Sequence, residues 1–219
     1  MFEIVPQFAV PFVHVRHPNP GGLNERLRDL FLRYERSGDR YANPTPFVRR
    51  PETLYESRFD LFSWPDPEIA ELRDFCWRNL FRAVAELNGY GPDVMRYLKV
   101  RASAWFHITR KGGYFGVHNH PMASWSGVYC VAESQQAAEC GVLSFINPNA
   151  TNTMFVDPSL MKLRKPFAYG NQDYRLSPGE LVLFPSWVLH EVLPFAGDGE
   201  RITVAFNAQI SQDGPAARF

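Results

Sequence analysis

The sequence predicts a mostly β fold, a β-sandwich or jelly-roll barrel with two α-helices buttressing one sheet. Three observations lead there. Two amphipathic helical stretches lie before Pro92, and the pattern changes for good after it. Beyond that proline, roughly eight short apolar runs rich in β-branched and aromatic residues are separated by Gly, Pro, Asn and Asp turns. Aromatic residues reach 15%, with 18 Phe, 9 Tyr and 5 Trp, a composition of packed β layers rather than of disorder. At 219 residues the chain reads as a single domain, with an N-terminal support over 1–92 and a site-bearing core over 93–211.

Taken in order, residues 2–17 hold one or two short strands, with alternation in Val13-His14-Val15-Arg16. Pro20-Gly-Gly precedes a helix marked by Leu23, Leu27, Leu30, Phe31 and Tyr34, and Gly38 stops it. Residues 39–64 are proline-rich and read as an extended connection, with some strand around Phe59–Phe62. The second helix has Asp66 to cap, Pro67 in its first turn and Glu68 at the positive end of its dipole. Ile69, Leu72, Phe75, Cys76, Leu80, Val84 and Leu87 form its apolar stripe, and Asn88-Gly89 terminates it. Strands follow at 95–109, 114–118, 126–132, 142–146, 173–176, 181–184, 190–195 and 201–209. The connection Asn147–Arg175 is long for a compact domain, which predicts a functional loop near the site.

Lys+Arg and Asp+Glu balance at 23 each, so no nucleic-acid or membrane partner is indicated. Cys76, Cys130 and Cys140 share no metal or redox spacing, and no signal peptide or membrane-length apolar run is visible. A soluble cytoplasmic protein is expected, and a homodimer is compatible with the sequence.

Three of the six histidines suggest chemistry. His118 and His120 fall in Gly116-Val-His-Asn-His-Pro, and on extended backbone residues two apart point to one face. His190 begins a later strand and can complete a facial set of imidazoles suited to Fe(II), Zn(II), Cu or Ni. Taken alone, an H-x-H pair is more often a surface turn or a hydrogen-bonded core pair. Arg201 follows His190 by eleven residues, and Thr203 shares its face, so a guanidinium fork and a hydroxyl could grip a carboxylate beside the metal.

The blocks HNHP…SWSGVYCV, GVLSFINP, SPGELVLFPSWVLHEV and ERITVAFN resemble the 2-oxoglutarate/Fe(II) oxygenases of double-stranded β-helix fold. The likeness is closest to small bacterial and phage-type members that read H-x-H-P…S-G-x-Y and F-P-S-W…H…R-I-S/T. It spans about Ala104–Ile210. It implies a double-stranded β-helix (jelly-roll) core buttressed by two α-helices. It also implies Fe(II) and 2-oxoglutarate as cofactors, and hydroxylation of a small or peptidyl substrate with release of succinate and CO2. His118 then stands as the first metal histidine and His190 as the distal one, with Arg201 and Thr203 on the far carboxylate of 2-oxoglutarate. His120 occupies the place where most such enzymes have Asp or Glu. Either it ligates, giving a three-histidine site, or it points aside.

Trp105, Tyr114, Tyr129 and Trp187 are candidate pocket liners, and Ser126 and Asn207 candidate polar contacts, Ser126 toward the cofactor. Two other readings stay open: a cupin-like three-histidine dioxygenase without 2-oxoglutarate, which has no use for Arg201, and a non-catalytic jelly-roll binding protein.

Overall fold

The computed structural model describes residues 1–46, 48, 50–134, 141–149, 154–155 and 157–213. In chain order its elements are β1 (Val13–Arg16), α1 (Pro20–Arg36), β2 (Leu54–Glu56), α2 (Pro67–Asn88), α3 (Pro92–Met95) and β3 (Leu98–Thr109). Then come β4 (Phe115–His118), β5 (Trp125–Ala132), β6 (Leu143–Phe145), β7 (Gln172–Tyr174), β8 (Glu180–Pro185), β9 (His190–Val192) and β10 (Arg201–Gln212). They form a six-stranded sheet, β1-β8-β5-β10-β3-β2, and a four-stranded sheet, β4-β9-β6-β7. Every paired strand runs antiparallel to its neighbour. This is the predicted jelly-roll.

Strand parity sorts the large sheet into two faces. In the β3–β10 register Arg201, Thr203, Ala205, Asn207 and Gln209 oppose Thr109, His107, Trp105, Ser103 and Arg101. These residues face the interior of the roll or its mouth. The alternate residues Ile202, Val204, Phe206 and Ala208 are fully buried with Ala104, Phe106 and Ile108 in the core shared with the helices. Phe31 of α1 stacks on Phe106 with centroids 4.2 Å apart. Gly127 of β5 is required here, because a Cβ would stand 2.3 Å from the Phe206 ring.

The helices form where their apolar stripes meet this outer face. Leu23, Leu27, Leu30 and Phe31 are buried on α1, and Ile69, Leu72, Phe75, Cys76, Leu80 and Val84 on α2. Leu87, expected in that stripe, is 51% exposed because it falls on the last turn beyond the sheet. Gly89 ends α2 in the left-handed conformation at φ 67°. Asp66 does not cap through its side chain; its Oδ2 accepts the Tyr34 hydroxyl at 2.7 Å, tying α1 to α2. No helix among the described residues is long and apolar enough to cross a membrane.

Tyr129, on the outer face of β5, donates its hydroxyl to Asn24 Oδ1 of α1 at 2.8 Å. Both residues are buried, so Tyr129→Phe leaves the Asn24 carbonyl without a partner. A loss of about 1–3 kcal/mol in urea unfolding is expected, with metal binding unchanged.

The proline-rich connection holds one strand, β2, paired with β3. The segment Phe59–Phe62 is not a strand. Asp60 makes a single bridge to Ala104, accepts the Trp64 indole N–H at 2.9 Å and offers its carbonyl to Ser63 Oγ at 2.6 Å. Those local bonds close a 3-10 turn, Leu61–Ser63, instead of extending the sheet. The described residues of Asn147–Arg175 also pack away from the predicted position. Asn147, Leu163, Phe167 and Tyr169 line a separate cleft of about 880 Å³ with Phe8 and Phe12. Their strand β7 is the far edge of the sheet from β4, where His118 sits.

Candidate metal centre

His118 and His190 are cross-strand partners of β4 and β9, a pairing that holds their rings at 4.2 Å between centroids. His120 lies past the end of β4. Its backbone N–H donates to Ser186 O at 2.9 Å, so the turn, not a continued strand, returns its ring to the same side. Its ring centroid is 4.9 Å from His118 and 5.2 Å from His190. One ring nitrogen from each of the three lies within 4.8 Å of the others. No Asp or Glu joins this cluster among the described residues.

The tautomers follow from the neighbours. His118 Nδ1 lies 2.8 Å from Gly116 O and His190 Nδ1 lies 2.9 Å from Val188 O. A carbonyl can only accept, so both Nδ1 atoms carry hydrogen and both Nε2 atoms present lone pairs. Burial pushes the imidazoles of His120 and His190 down to about 3, the His118 charge adding to it, and burial also lowers His118. The rings are neutral near pH 7. Three convergent neutral nitrogen donors, two of them held by backbone carbonyls, fit a divalent first-row ion.

Behind the histidines a recess is lined by Arg201, Thr203, Ser126, Phe115 and Phe184. Arg201 is 4% exposed and Thr203 3%. Gly141, at φ +63°, packs on Arg201: a Cβ there would stand 3.0 Å from its Cδ. Ser126 lines the recess, but its hydroxyl donates to Asn207 Oδ1 at 2.7 Å and lies 2.8 Å from Ser186 Oγ. It therefore fixes the Asn207 amide and has no hydrogen left for a carboxylate. In front of the histidines opens a cleft of about 610 Å³, lined by Trp105, His118 and His120 among others.

Of the predicted liners only Trp105 faces the site. Tyr129 is on the helix side of β5, because the odd residues of that strand face outward while Ser126, Val128 and Cys130 face inward. Trp187 is 52% exposed on the β8–β9 turn, and Tyr114, half-buried, lines neither cavity. Cys140 lies outside the described residues.

A buried Glu56–His107 pair was not foreseen. Glu56 Oε2 lies 2.8 Å from His107 Nε2, Oε1 accepts the Asn43 amide at 2.6 Å, and the Arg50 guanidinium is 3.7 Å away. Burial pushes this carboxyl up, but His107, Asn43 and Arg50 together outweigh it and hold Glu56 below the usual carboxylate range. An ionised Glu56 requires N–H at His107 Nε2. That nitrogen cannot then accept from Trp105 Nε1, 3.1 Å away, so the contact to Glu56 is the hydrogen bond. The parity of His107 with Trp105 on β3 was the only signal in the sequence.

Residues 103–207 match a family model described as "Putative 2OG-Fe(II) oxygenase". No curated protein matches the chain. Among solved structures, a Pseudomonas putida prolyl-4-hydroxylase aligns with TM-score 0.62 and 18% identity over 94% of each chain. HygX from Streptomyces hygroscopicus, with nickel and 2-oxoglutarate bound, aligns at 0.60 with 13% identity over 92% of this chain and 83% of its own. A prolyl hydroxylase from Trichoplax adhaerens, in complex with a hypoxia inducible factor peptide fragment, aligns at 0.59 with 14% identity over 90% and 83%. At these identities the structures show a common fold, and the family match points to the chemistry. That match spans all three histidines and Arg201, and with the shared jelly-roll it makes this chain similar to the 2-oxoglutarate/Fe(II)-dependent oxygenases.

Proposed function

We propose that Fe(II) is held by His118, His120 and His190 and that Arg201, with Thr203, receives the far carboxylate of 2-oxoglutarate. The observation that carries this reading is the convergence of three neutral imidazoles within 4.8 Å of one another. Iron bound there would supply the oxidising chemistry by which 2-oxoglutarate, O2 and the substrate give succinate, CO2 and the hydroxylated product. The protein's own part is positioning and exclusion of water. Three neutral ligands leave the ion's full double charge uncompensated, which favours the anionic keto acid. The guanidinium of Arg201 lies in a buried recess, and its planar fork is of the shape that holds a carboxylate in one orientation. Ser126 contributes through Asn207, whose amide it fixes. Phe115 and Trp105 keep the wall between recess and cleft apolar.

The open cleft is roomy enough for a small molecule or a peptide side chain, and the two prolyl hydroxylases of the same fold favour a substrate of that size. Arg201 at the end of the recess weighs against a cupin-like dioxygenase that dispenses with 2-oxoglutarate. The test is anaerobic titration with Fe(II) and then with 2-oxoglutarate, followed by succinate detection in air. One iron per chain and iron-dependent 2-oxoglutarate binding are expected; iron binding without 2-oxoglutarate binding would favour the cupin-like reading.

Gly141→Ala tests the recess wall. Its left-handed backbone disfavours any Cβ by about 1–2 kcal/mol, and the added methyl crowds Arg201. Lower stability in urea is expected together with weaker 2-oxoglutarate binding. Unchanged 2-oxoglutarate affinity would show that Arg201 does not need this wall.

A further inference from the structure

The front cleft has a charge of its own. Among the described residues its ionisable lining, apart from the histidines, consists of Glu56 and Arg101. Glu56 is matched by His107, Asn43 and Arg50. Arg101 is solvent-accessible on the inner face of β3, and no carboxylate pairs with it among the described residues. Among the described residues, the one uncompensated charge of the cleft is therefore positive.

Two further donors share that face. Ser103 is two residues along β3 from Arg101, and Asn207 is its cross-strand partner on β10. Asn207 Oδ1 is occupied by the Ser126 hydroxyl, which turns the amide so that its Nδ2 hydrogens remain for a ligand. Cross-strand neighbours stand about 5 Å apart, so a guanidinium, a hydroxyl and an amide N–H₂ can converge on one acceptor group. The apolar part of the lining includes Phe59, Trp105, Val48 and Met122. Trp105, on the same strand, has its ring 5.9 Å from that of His120.

From this arrangement we infer that the substrate is an acid with an apolar body, its carboxylate or phosphate held by Arg101, Ser103 and Asn207. The inference rests on the oxygenase reading for what happens at the other end of the molecule. Arg101 is four residue steps along β3 from Trp105, about 13 Å, and Ser103 lies midway, so the anionic group is held away from the oxidised carbon, not on an adjacent atom. Glu56 is already matched by His107, Asn43 and Arg50, so it presents no unpartnered carboxylate to a cationic substrate.

The test uses 3-phenylpropionate, its neutral isostere 3-phenylpropanamide and 2-phenylethyl phosphate, titrated calorimetrically into the full chain. The acid is expected to bind about 10-fold more tightly than the amide, the size of a solvent-accessible charge-assisted contact. Arg101→Gln should abolish that difference and Arg101→Lys should keep only part of it. Tighter binding of the phosphate than of the carboxylate would assign the site to phosphate esters, and the reverse to carboxylic acids. Because 3-phenylpropionate could instead reach Arg201, each titration is repeated with excess 2-oxoglutarate. The contrast should persist. Equal binding of acid and amide, no binding of either, a contrast that survives Arg101→Gln, or one that 2-oxoglutarate abolishes would each overturn the proposal. Iron content and 2-oxoglutarate affinity are measured on the same samples and should not change in Arg101→Gln. If the parent binds neither iron nor 2-oxoglutarate, the oxygenase reading fails, while the contrast between acid and amide still decides this one.

Discussion

His190→Ala is expected to lower iron affinity by about 100-fold or more, beyond the roughly 10–100-fold typical of losing only a residue that supports a ligand. The imidazole is 4% exposed and its Nδ1 is held by Val188 O, so its Nε2 cannot be replaced by a neighbouring side chain without rearrangement of β9. Iron content after anaerobic dialysis is the readout, with urea unfolding as the control for the small cavity the substitution leaves. His118→Ala should behave alike. His120 decides the type of centre. As a ligand it makes His120→Ala lose most of its iron, while His120→Asp rebuilds a set of two histidines and one carboxylate and retains it. Equal iron in the parent and in His120→Ala would remove His120 from the centre. The turn that places it through Ser186 O is independent of its ring, so neither substitution should disturb the position of the backbone.

Arg201→Lys is expected to weaken 2-oxoglutarate binding by roughly 1–3 kcal/mol, about 5- to 150-fold, with iron content unchanged. The positive charge survives, but the two parallel N–H groups do not, and a lysine cannot use both carboxylate oxygens from one fixed plane. The loss should appear in calorimetric titration of the iron-loaded protein and in the KM for 2-oxoglutarate more than in kcat, because the anchor acts on the end of the molecule remote from the metal. Parent-like affinity in Arg201→Lys would return the weight to the cupin-like alternative.

Much of this was legible in the chain itself. α2 has a stripe of seven apolar residues between Pro67 and Gly89, and β10 alternates Arg201, Thr203, Ala205 and Asn207 with Ile202, Val204 and Phe206, so its two faces could be read before any partner was known. The pairing of His118 with His190 needed two strands to meet, and the ordered blocks around them implied that meeting. Parity could not say which face of β5 was inner. Of the two candidates on that strand, Ser126 is inner with Val128, and Tyr129 on the opposite face bonds Asn24 on a helix.

What only the tertiary structure decided lies in contacts between residues far apart with no shared period. Glu56 and His107 are 51 residues apart, and the strand that brings them together, β2, has three residues in a proline-rich segment without visible alternation. The partners of Asn207 and the isolation of Arg101 likewise depend on how β3, β5 and β10 align, since a charge is compensated or left open by its neighbours in space. Local sequence sets the periodicity of each element, because that depends on residues a few positions apart. Which charges the cleft neutralises, and which it leaves for a ligand, is set by strand register.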